Sequence, residues 1–403
     1  MTAKETGYYQ RCSFCNKHNS EVNRLIVAND VGICDECILL CQGLLNDTHA
    51  THGPELADDS LSTVDPMELK EFLDQYVIGQ DDAKVVLSVA IANHYKRVYH
   101  PSSSVEVQKA NILLLGPTGS GKTLLAKSVA RFLNVPFTVA DATSLTEAGY
   151  VGDDVESMIA RLLIAADGDV EKAQRGIVFI DEVDKISRKS ESATLSRDVS
   201  GEGVQQALLK VVEGTTVRVP SSGNRKHAMG MGDLVEINTS NILFLAGGAF
   251  VGIEKIVATR KAPGTMGFGA SSVSAPLGGA EVEADDLIKY GMIPEFVGRF
   301  PNVVAVEKLP KDALVRILRE VKNNFVDQYT HLFSIDGIDL DFQDSSLEVI
   351  ASRAIKSGTG ARGLQTEVER VLRPHMFKIK QYKSRGIKTL TVTPKMVNSP
   401  TTL

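Results

Sequence analysis

Three runs of consecutive apolar residues punctuate the middle of the chain: Ile112-Leu113-Leu114-Leu115, Ile177-Val178-Phe179-Ile180 and Ile242-Leu243-Phe244-Leu245. None alternates with polar positions, and helical patterns lie between them, so they read as strands of a parallel sheet buried on both faces. A helical pattern begins at Met67, and a second helix is predicted from about Gln80 to Tyr99, with Val85, Val86, Val89 and Ile91 as its apolar positions. From about Pro310 the chain is mostly amphipathic helix (Leu314, Ile317, Leu318, Val321, Phe325) and ends near a short β run, Thr389-Leu390-Thr391-Val392. That tail predicts a separate helical lid. Residues 218–233 and 258–285, rich in Gly, Ser, Met and Lys, show no periodicity; loops of that length inside a compact domain are usually functional.

At 403 residues the chain exceeds what one hydrophobic core supports, so several domains are expected. Four segments are predicted: a small N-terminal module over 1–48, a flexible linker over 49–65, a large α/β unit over 66–308 and the helical lid over 309–403. The linker assignment follows composition around Asn46-Asp47-Thr48-His49-Ala50-Thr51-His52-Gly53-Pro54. No apolar run reaches the roughly 20 residues that cross a bilayer, and Met1 to Thr6 lacks a signal-peptide pattern, so the cytoplasm is the expected address. A net charge of -6 argues against a protein that mainly wraps nucleic acid.

Gly116-Pro117-Thr118-Gly119-Ser120-Gly121-Lys122-Thr123 matches the phosphate-binding loop pattern in full, after a buried strand and before a predicted helix. Its glycines let backbone N–H groups and the helix dipole approach phosphate oxygens; Lys122 is expected on the β/γ-phosphates of ATP and Thr123 on Mg²⁺. About 60 residues on, a buried run ends in Asp181-Glu182. Asp181 is expected to hold the Mg²⁺ water shell, and Glu182 to polarise the attacking water as general base.

All five cysteines fall between positions 12 and 41. Cys12-x2-Cys15 and Cys34-x2-Cys37, 18 residues apart, have the spacing of a four-thiolate structural Zn²⁺ site. A module this small buries too little surface to fold alone, so metal binding supplies its folding free energy. Cys41 is left over as a small buried hydrophobe or a ligand, and His18 as an alternative ligand. None of the eight His residues begins an H-E-x-x-H motif and no G-x-S-x-G elbow appears, so peptide cleavage by the chain itself is not expected.

Taken together, these motifs resemble the ClpX family, the AAA+ unfoldases of the Clp protease, over nearly the whole length. The resemblance implies a homo-hexameric ATP-driven machine that recognises tagged proteins, directly or through adaptor proteins, unfolds them through a central pore and delivers them to the ClpP peptidase. It implies that Val77 and Ile78, in Leu73-Asp74-Gln75-Tyr76-Val77-Ile78-Gly79-Gln80, pack on the adenine base, and that Leu124 adjoins the nucleotide. Gly149-Tyr150-Val151-Gly152 is similar to a pore loop whose aromatic side chain grips polypeptide; Arg197, in Ser196-Arg197-Asp198, falls in a second pore loop, and Arg225-Lys226-His227 in a basic loop at the channel entrance. Arg299 corresponds to an arginine finger that reaches a neighbouring subunit's γ-phosphate, which requires a ring, and Arg362, in Gly360-Ala361-Arg362-Gly363, to the second sensor. Met266-Gly267-Phe268 occupies the peptidase-docking loop, with Met where the family usually has Leu or a β-branched residue. No polar first-sensor residue is assigned, because Ile242-Leu243-Phe244-Leu245 runs into Ala246-Gly247-Gly248.

Two other readings compete. A zinc-containing AAA+ ATPase remodelling protein or nucleic-acid complexes without a peptidase would need a basic stripe or recognition helix, and none is seen. A non-enzymatic zinc adaptor is opposed by the intact Lys122, Thr123, Asp181, Glu182 and Arg299.

Overall fold

The computed structural model describes residues 11–15, 17–18, 21–28, 31–38, 58–102, 104–146, 153–188, 201–220, 234–261 and 282–399. Cys41, Tyr150, Val151, Arg197, Arg225, Lys226, His227, Met266, Gly267 and Phe268 lie outside the described residues. The chain divides into two compact units, Met1–Asp58 and Asp59–Leu403.

In the first unit, β1 (Leu25–Ala28) and β2 (Val31–Cys34) pair antiparallel, Leu25 opposite Cys34. Strand β1, between the two cysteine pairs, therefore forms one arm of a hairpin. Its other arm carries Cys34 at its end. The segment 12–15 is fastened to β2 by Ser13 N–H to Gly32 O (2.7 Å) and Gly32 N–H to Ser13 Oγ (3.1 Å).

The second unit begins with α1 (Pro66–Asp74), started by Pro at its first position and by Asp65, whose side chain accepts from Met67 N–H. α2 (Asp81–Tyr99) follows, then β3 (Ile112–Leu115), α3 (Lys122–Leu133), β4 (Phe137–Asp141), α4 (Ser157–Ala165), β5 (Ile177–Asp181), α5 (Gly201–Glu213), the antiparallel pair β6 (Thr216–Pro220) and β7 (Leu234–Asn238), and β8 (Leu243–Gly248). Next come α6 (Ile253–Lys261), α7 (Ala284–Tyr290), α8 (Pro294–Gly298) and β9 (Asn302–Ala305). Five strands form one all-parallel sheet in the order β9-β3-β8-β5-β4. Its two faces separate the side chains of each strand into two cores: Leu113, Val178, Ile180, Phe244 and Ala246 join α4, α5 and α8 on one side, while Ile112, Leu114, Ile177, Phe179, Leu243 and Leu245 join α1, α2 and α3 on the other. Burial on both sides is why these runs lack alternation.

The C-terminal part comprises α9 (Lys311–Arg319), α10 (Phe325–Ile335), β10 (Asp339–Phe342), α11 (Asp344–Lys356), α12 (Arg362–Phe377) and β11 (Thr389–Val392), with β10 and β11 paired in parallel. It has its own core around Leu314, Leu318, Phe333, Ile350, Leu364 and Val371.

One expectation is corrected. Helix α2 lies where predicted, but Val85, Val86 and Val89 are 48%, 43% and 44% exposed and only Ile91 of the four is buried. The inward face is instead Ala83, Leu87, Ala90, Ile91, Ala92 and Tyr95, three alanines set among larger apolar side chains. The loop-like stretches also shrink: residues 218–220 belong to β6, and α7 begins at Ala284.

Candidate functional site

The phosphate-binding loop leaves β3 at Gly116 and enters α3 at Lys122. Three of its glycines have positive φ (Gly116 151°, Gly119 80°, Gly121 100°), and a side chain at Gly116 would stand 2.2 Å from Val306 O. Gly121, at the N-cap of α3, offers no capping side chain, so the first-turn N–H groups stay free for an anion. The Lys122 ammonium donates to the loop's own carbonyls, Gly116 O (2.6 Å) and Pro117 O (3.1 Å). Burial holds its pKa below the ordinary lysine range, with Asp181 and Asp184 opposing that shift and Arg362 adding to it.

Asp181 closes β5 and accepts from Thr123 Oγ1 (3.1 Å) and from Glu182 N–H (2.9 Å). This hydroxyl and carboxylate are hard oxygen donors at the mouth of the loop, the chemistry that fits Mg²⁺. Glu182 adopts φ 58°, which turns the chain out of the strand, and its side chain is exposed. Both carboxylates border the same cleft as Lys122 and Thr123.

That cleft, of roughly 670 Å³, lies between the phosphate loop and the C-terminal part. Val77 and Ile78 form an apolar wall, Leu124 borders it, and Leu309, Ile317 and Val321 face them from the C-terminal side. Arg362, at the first position of α12, also lines it. The two sides meet backbone to backbone: Ala361 N–H donates to Gly119 O (3.3 Å), and a Cβ on Gly119 would fall 2.5 Å from Thr359 O. Only glycine permits that approach.

Arg299 is elsewhere. Its guanidinium does not border this cleft but pairs with Glu213 at the end of α5, Nε and Nη2 lying 2.8 and 2.7 Å from Glu213 Oε1. Both side chains are about half exposed.

Sequence reasoning missed Asp184 and Lys185, which line the cleft beside Glu182. Asp184 is buried, and its Oδ1 accepts from Ala249 N–H (3.0 Å) just beyond β8, while Oδ2 accepts from Lys185 Nζ (2.9 Å). The available signal was the third acid in Asp181-Glu182-Val183-Asp184. β8 itself ends in glycines because Phe179 and Phe250 close in on it: a Cβ at Gly247 would meet Phe179 Cζ at 2.6 Å, and one at Gly248 would meet Phe250 Cε2 at 2.5 Å and Asp184 Oδ1 at 3.0 Å.

In the first unit, the Sγ atoms of Cys12, Cys15, Cys34 and Cys37 all lie within 4.8 Å of one another. Cys34 N–H points at Cys12 Sγ (3.3 Å) and Cys37 N–H at Cys34 Sγ (3.4 Å). Burial works against ionising Cys12, yet backbone N–H groups of Cys15, Phe14 and Cys34 bring its pKa down to about 6. Four converging sulfurs, that of Cys12 with stabilised thiolate character, fit a tetrahedral Zn²⁺ ion. His18 is not part of this cluster.

Family models match three stretches of the chain: AAA domain (Cdc48 subfamily) over residues 107–303, ClpX C4-type zinc finger over 10–47, and the C-terminal, D2-small domain, of ClpB protein over 309–386. The ATP-dependent Clp protease ATP-binding subunit ClpX of Treponema denticola is 49% identical over 397 residues, covering 96% of this chain and 94% of that protein. The chain belongs to the ClpX family. Its AAA domain hydrolyses ATP, and ATP, Mg²⁺ and Zn²⁺ are the cofactors that its loop, its acidic strand end and its cysteine cluster accommodate. As a ClpX-family ATPase it has no peptidase activity of its own.

Proposed function

We propose that this ClpX-family ATPase works as a homo-hexamer in the cytoplasm, unfolding tagged proteins through a central pore and delivering them to a ClpP-type peptidase. The observation that carries the reading is the position of Arg299. A guanidinium that does not border its own chain's nucleotide cleft, held half-exposed on the surface, suits service to the cleft of an adjoining subunit.

Within one subunit, Lys122 leaves its loop carbonyls for phosphate oxygens, and the free N–H groups of α3 receive the same charge. Thr123 and Asp181 would hold Mg²⁺, which supplies positive charge to the phosphates when bound. Glu182 takes the proton of the attacking water as general base, and Arg362 reports the nucleotide from the C-terminal side. Val77 and Ile78 pack on the adenine. We assign substrate gripping to Tyr150 and Val151 with Arg197, attraction of substrate tails to Arg225, Lys226 and His227, and peptidase docking to Met266, Gly267 and Phe268, where Met provides an adaptable apolar side chain. Residues 1–48 serve as the zinc module for dimerisation or for substrate and adaptor docking, 49–65 as linker, 66–308 as the large ATPase subdomain and 309–403 as the lid. No helix among the described residues is long and apolar enough to cross a membrane.

The decisive experiment gives the purified chain a stable tagged protein. ATP should drive its unfolding, a slowly hydrolysed analogue should not, and Tyr150→Ala should abolish unfolding while sparing ATPase activity. A chain that stays monomeric with ATP and Mg²⁺ at micromolar concentration would refute the hexameric reading.

A further inference from the structure

The segment Gln75 to Gln80, between α1 and α2, lies against the C-terminal part and the crossing that leads to it, and is held there at three points. Gln75 O accepts from Lys322 N–H (2.8 Å). Ile78 is buried among Leu309, Ala313, Ile317 and Val321, all from the C-terminal side. Gln80 spans the gap with its amide: Nε2 donates to Glu307 O and Oε1 accepts from Glu307 N–H, both at 2.8 Å. Glu307 stands between β9 and α9, where the chain passes from one part to the other, and its neighbour Val306 abuts Gly116 of the phosphate loop.

Gln80 breaks two local rules to make that clamp. It is the N-cap of α2, a place where a short side chain normally satisfies a first-turn N–H, yet its side chain caps nothing in its own helix. It also holds φ 61°, directly after Gly79 at φ 67°, a left-handed conformation that burdens any residue with a Cβ. A strained residue whose side chain is diverted from the nearest local partner to a distant backbone group is the pattern found where geometry serves function.

We propose that Gln80 is a positioning residue that couples the base end of the nucleotide cleft to the crossing at Glu307, so that filling the pocket beside Val77 and Ile78 fixes the orientation of the C-terminal part. The inference rests on the reading that Val77 and Ile78 contact adenine. Lys84 supplies the fixed point: its buried ammonium donates to Val77 O (2.6 Å) and keeps the segment registered on α1 and α2. Base contact at Val77 and Ile78, two residues from the clamp, is thereby transmitted to Glu307 without passing through the phosphates.

The test uses the full-length chain with Gln80→Gly, which removes the amide and relieves the backbone strain, so misfolding at this position is not its expected effect. Gln80→Glu keeps the acceptor and loses the donor. Spin labels attached by non-cysteine chemistry at exposed Lys172 and Lys356 report the distance between the two parts. In the parent, ATP should narrow the distance distribution. With Gln80→Gly, the KM for ATP should rise about tenfold at unchanged kcat, the distribution should stay broad with ATP bound, and tripolyphosphate should bind as before. Gln80→Glu should fall between. A wild-type KM and a wild-type distance response in Gln80→Gly would overturn the proposal. The base contact is judged separately: Val77→Ala should weaken ATP but not tripolyphosphate, and unchanged ATP binding there would remove the reading on which the coupling rests.

Discussion

Replacing Lys84 by Met tests how firmly the base pocket is anchored. Lys84 is 1% exposed and donates to Asp74 Oδ1 and to Val77 O, each at 2.6 Å. Met fills a similar volume, so little packing is lost. Asp74 is 39% exposed and keeps Lys70 at 2.9 Å, so its carboxylate stays hydrated and paired and adds little to the cost. The main loss is the donor to the Val77 carbonyl; an unsatisfied buried acceptor costs about 1–3 kcal/mol, and release of a buried ammonium offsets part of it. The net expectation is a loss of about 1–2 kcal/mol, measured by urea unfolding at pH 7, with a raised KM for ATP as the Val77 segment loosens. Acidification supplies a second check. Burial would raise the Asp74 pKa, but hydrogen bonds from Lys84 and Lys70 hold it below the usual carboxylate value. A depressed carboxyl stabilises the fold fully above its unfolded pKa of about 3.9, and that contribution is lost as pH falls through the folded value. The stability gap between parent and variant should therefore narrow slightly below about pH 4, while the part due to Val77 O remains. A variant as stable as the parent at pH 7, with an unchanged KM, would refute the anchoring role.

Other substitutions probe the rest of the site. Glu182→Gln should bind ATP normally yet lose about 10²- to 10⁴-fold in steady-state hydrolysis; normal turnover would remove Glu182 from the role of base. Gly119→Ala places a Cβ 2.5 Å from Thr359 O at φ 80°, and strain of about 1–2 kcal/mol plus a lost hydrogen bond to Ala361 of about 1 kcal/mol predict ATP affinity down by roughly 30- to 150-fold, read by equilibrium titration. Chelating zinc, or Cys34→Ser, should unfold residues 11–38 as seen by NMR while ATPase activity persists in the rest of the chain; a folded module without metal would contradict the structural role.

The phosphate loop, the acidic strand end and the cysteine pairs were legible because each compresses its geometry into a few neighbouring residues with fixed backbone demands. Val85, Val86 and Val89 misled because periodicity locates an apolar stripe but not what covers it, and α2 instead buries the face of Ala83, Leu87, Ile91 and Tyr95. The sheet strand β4 was missed for the opposite reason: at the edge of the sheet, Phe137 to Asp141 alternates buried and exposed positions rather than forming an apolar run. The contacts of Gln80, Lys84 and Glu213 gave no signal, since their partners at Glu307, Val77 and Arg299 depend on how distant elements pack.

The Arg299–Glu213 pair carries a further consequence for timing. An ion pair open to water is worth only about 0–1 kcal/mol, so on the proposal that Arg299 serves an adjoining subunit, moving its guanidinium from Glu213 to that subunit's triphosphate requires almost no work. Glu213 acts as a shallow resting place that limits where the long side chain wanders. Salt concentration would then alter how often the arginine is parked without altering how well it performs once delivered.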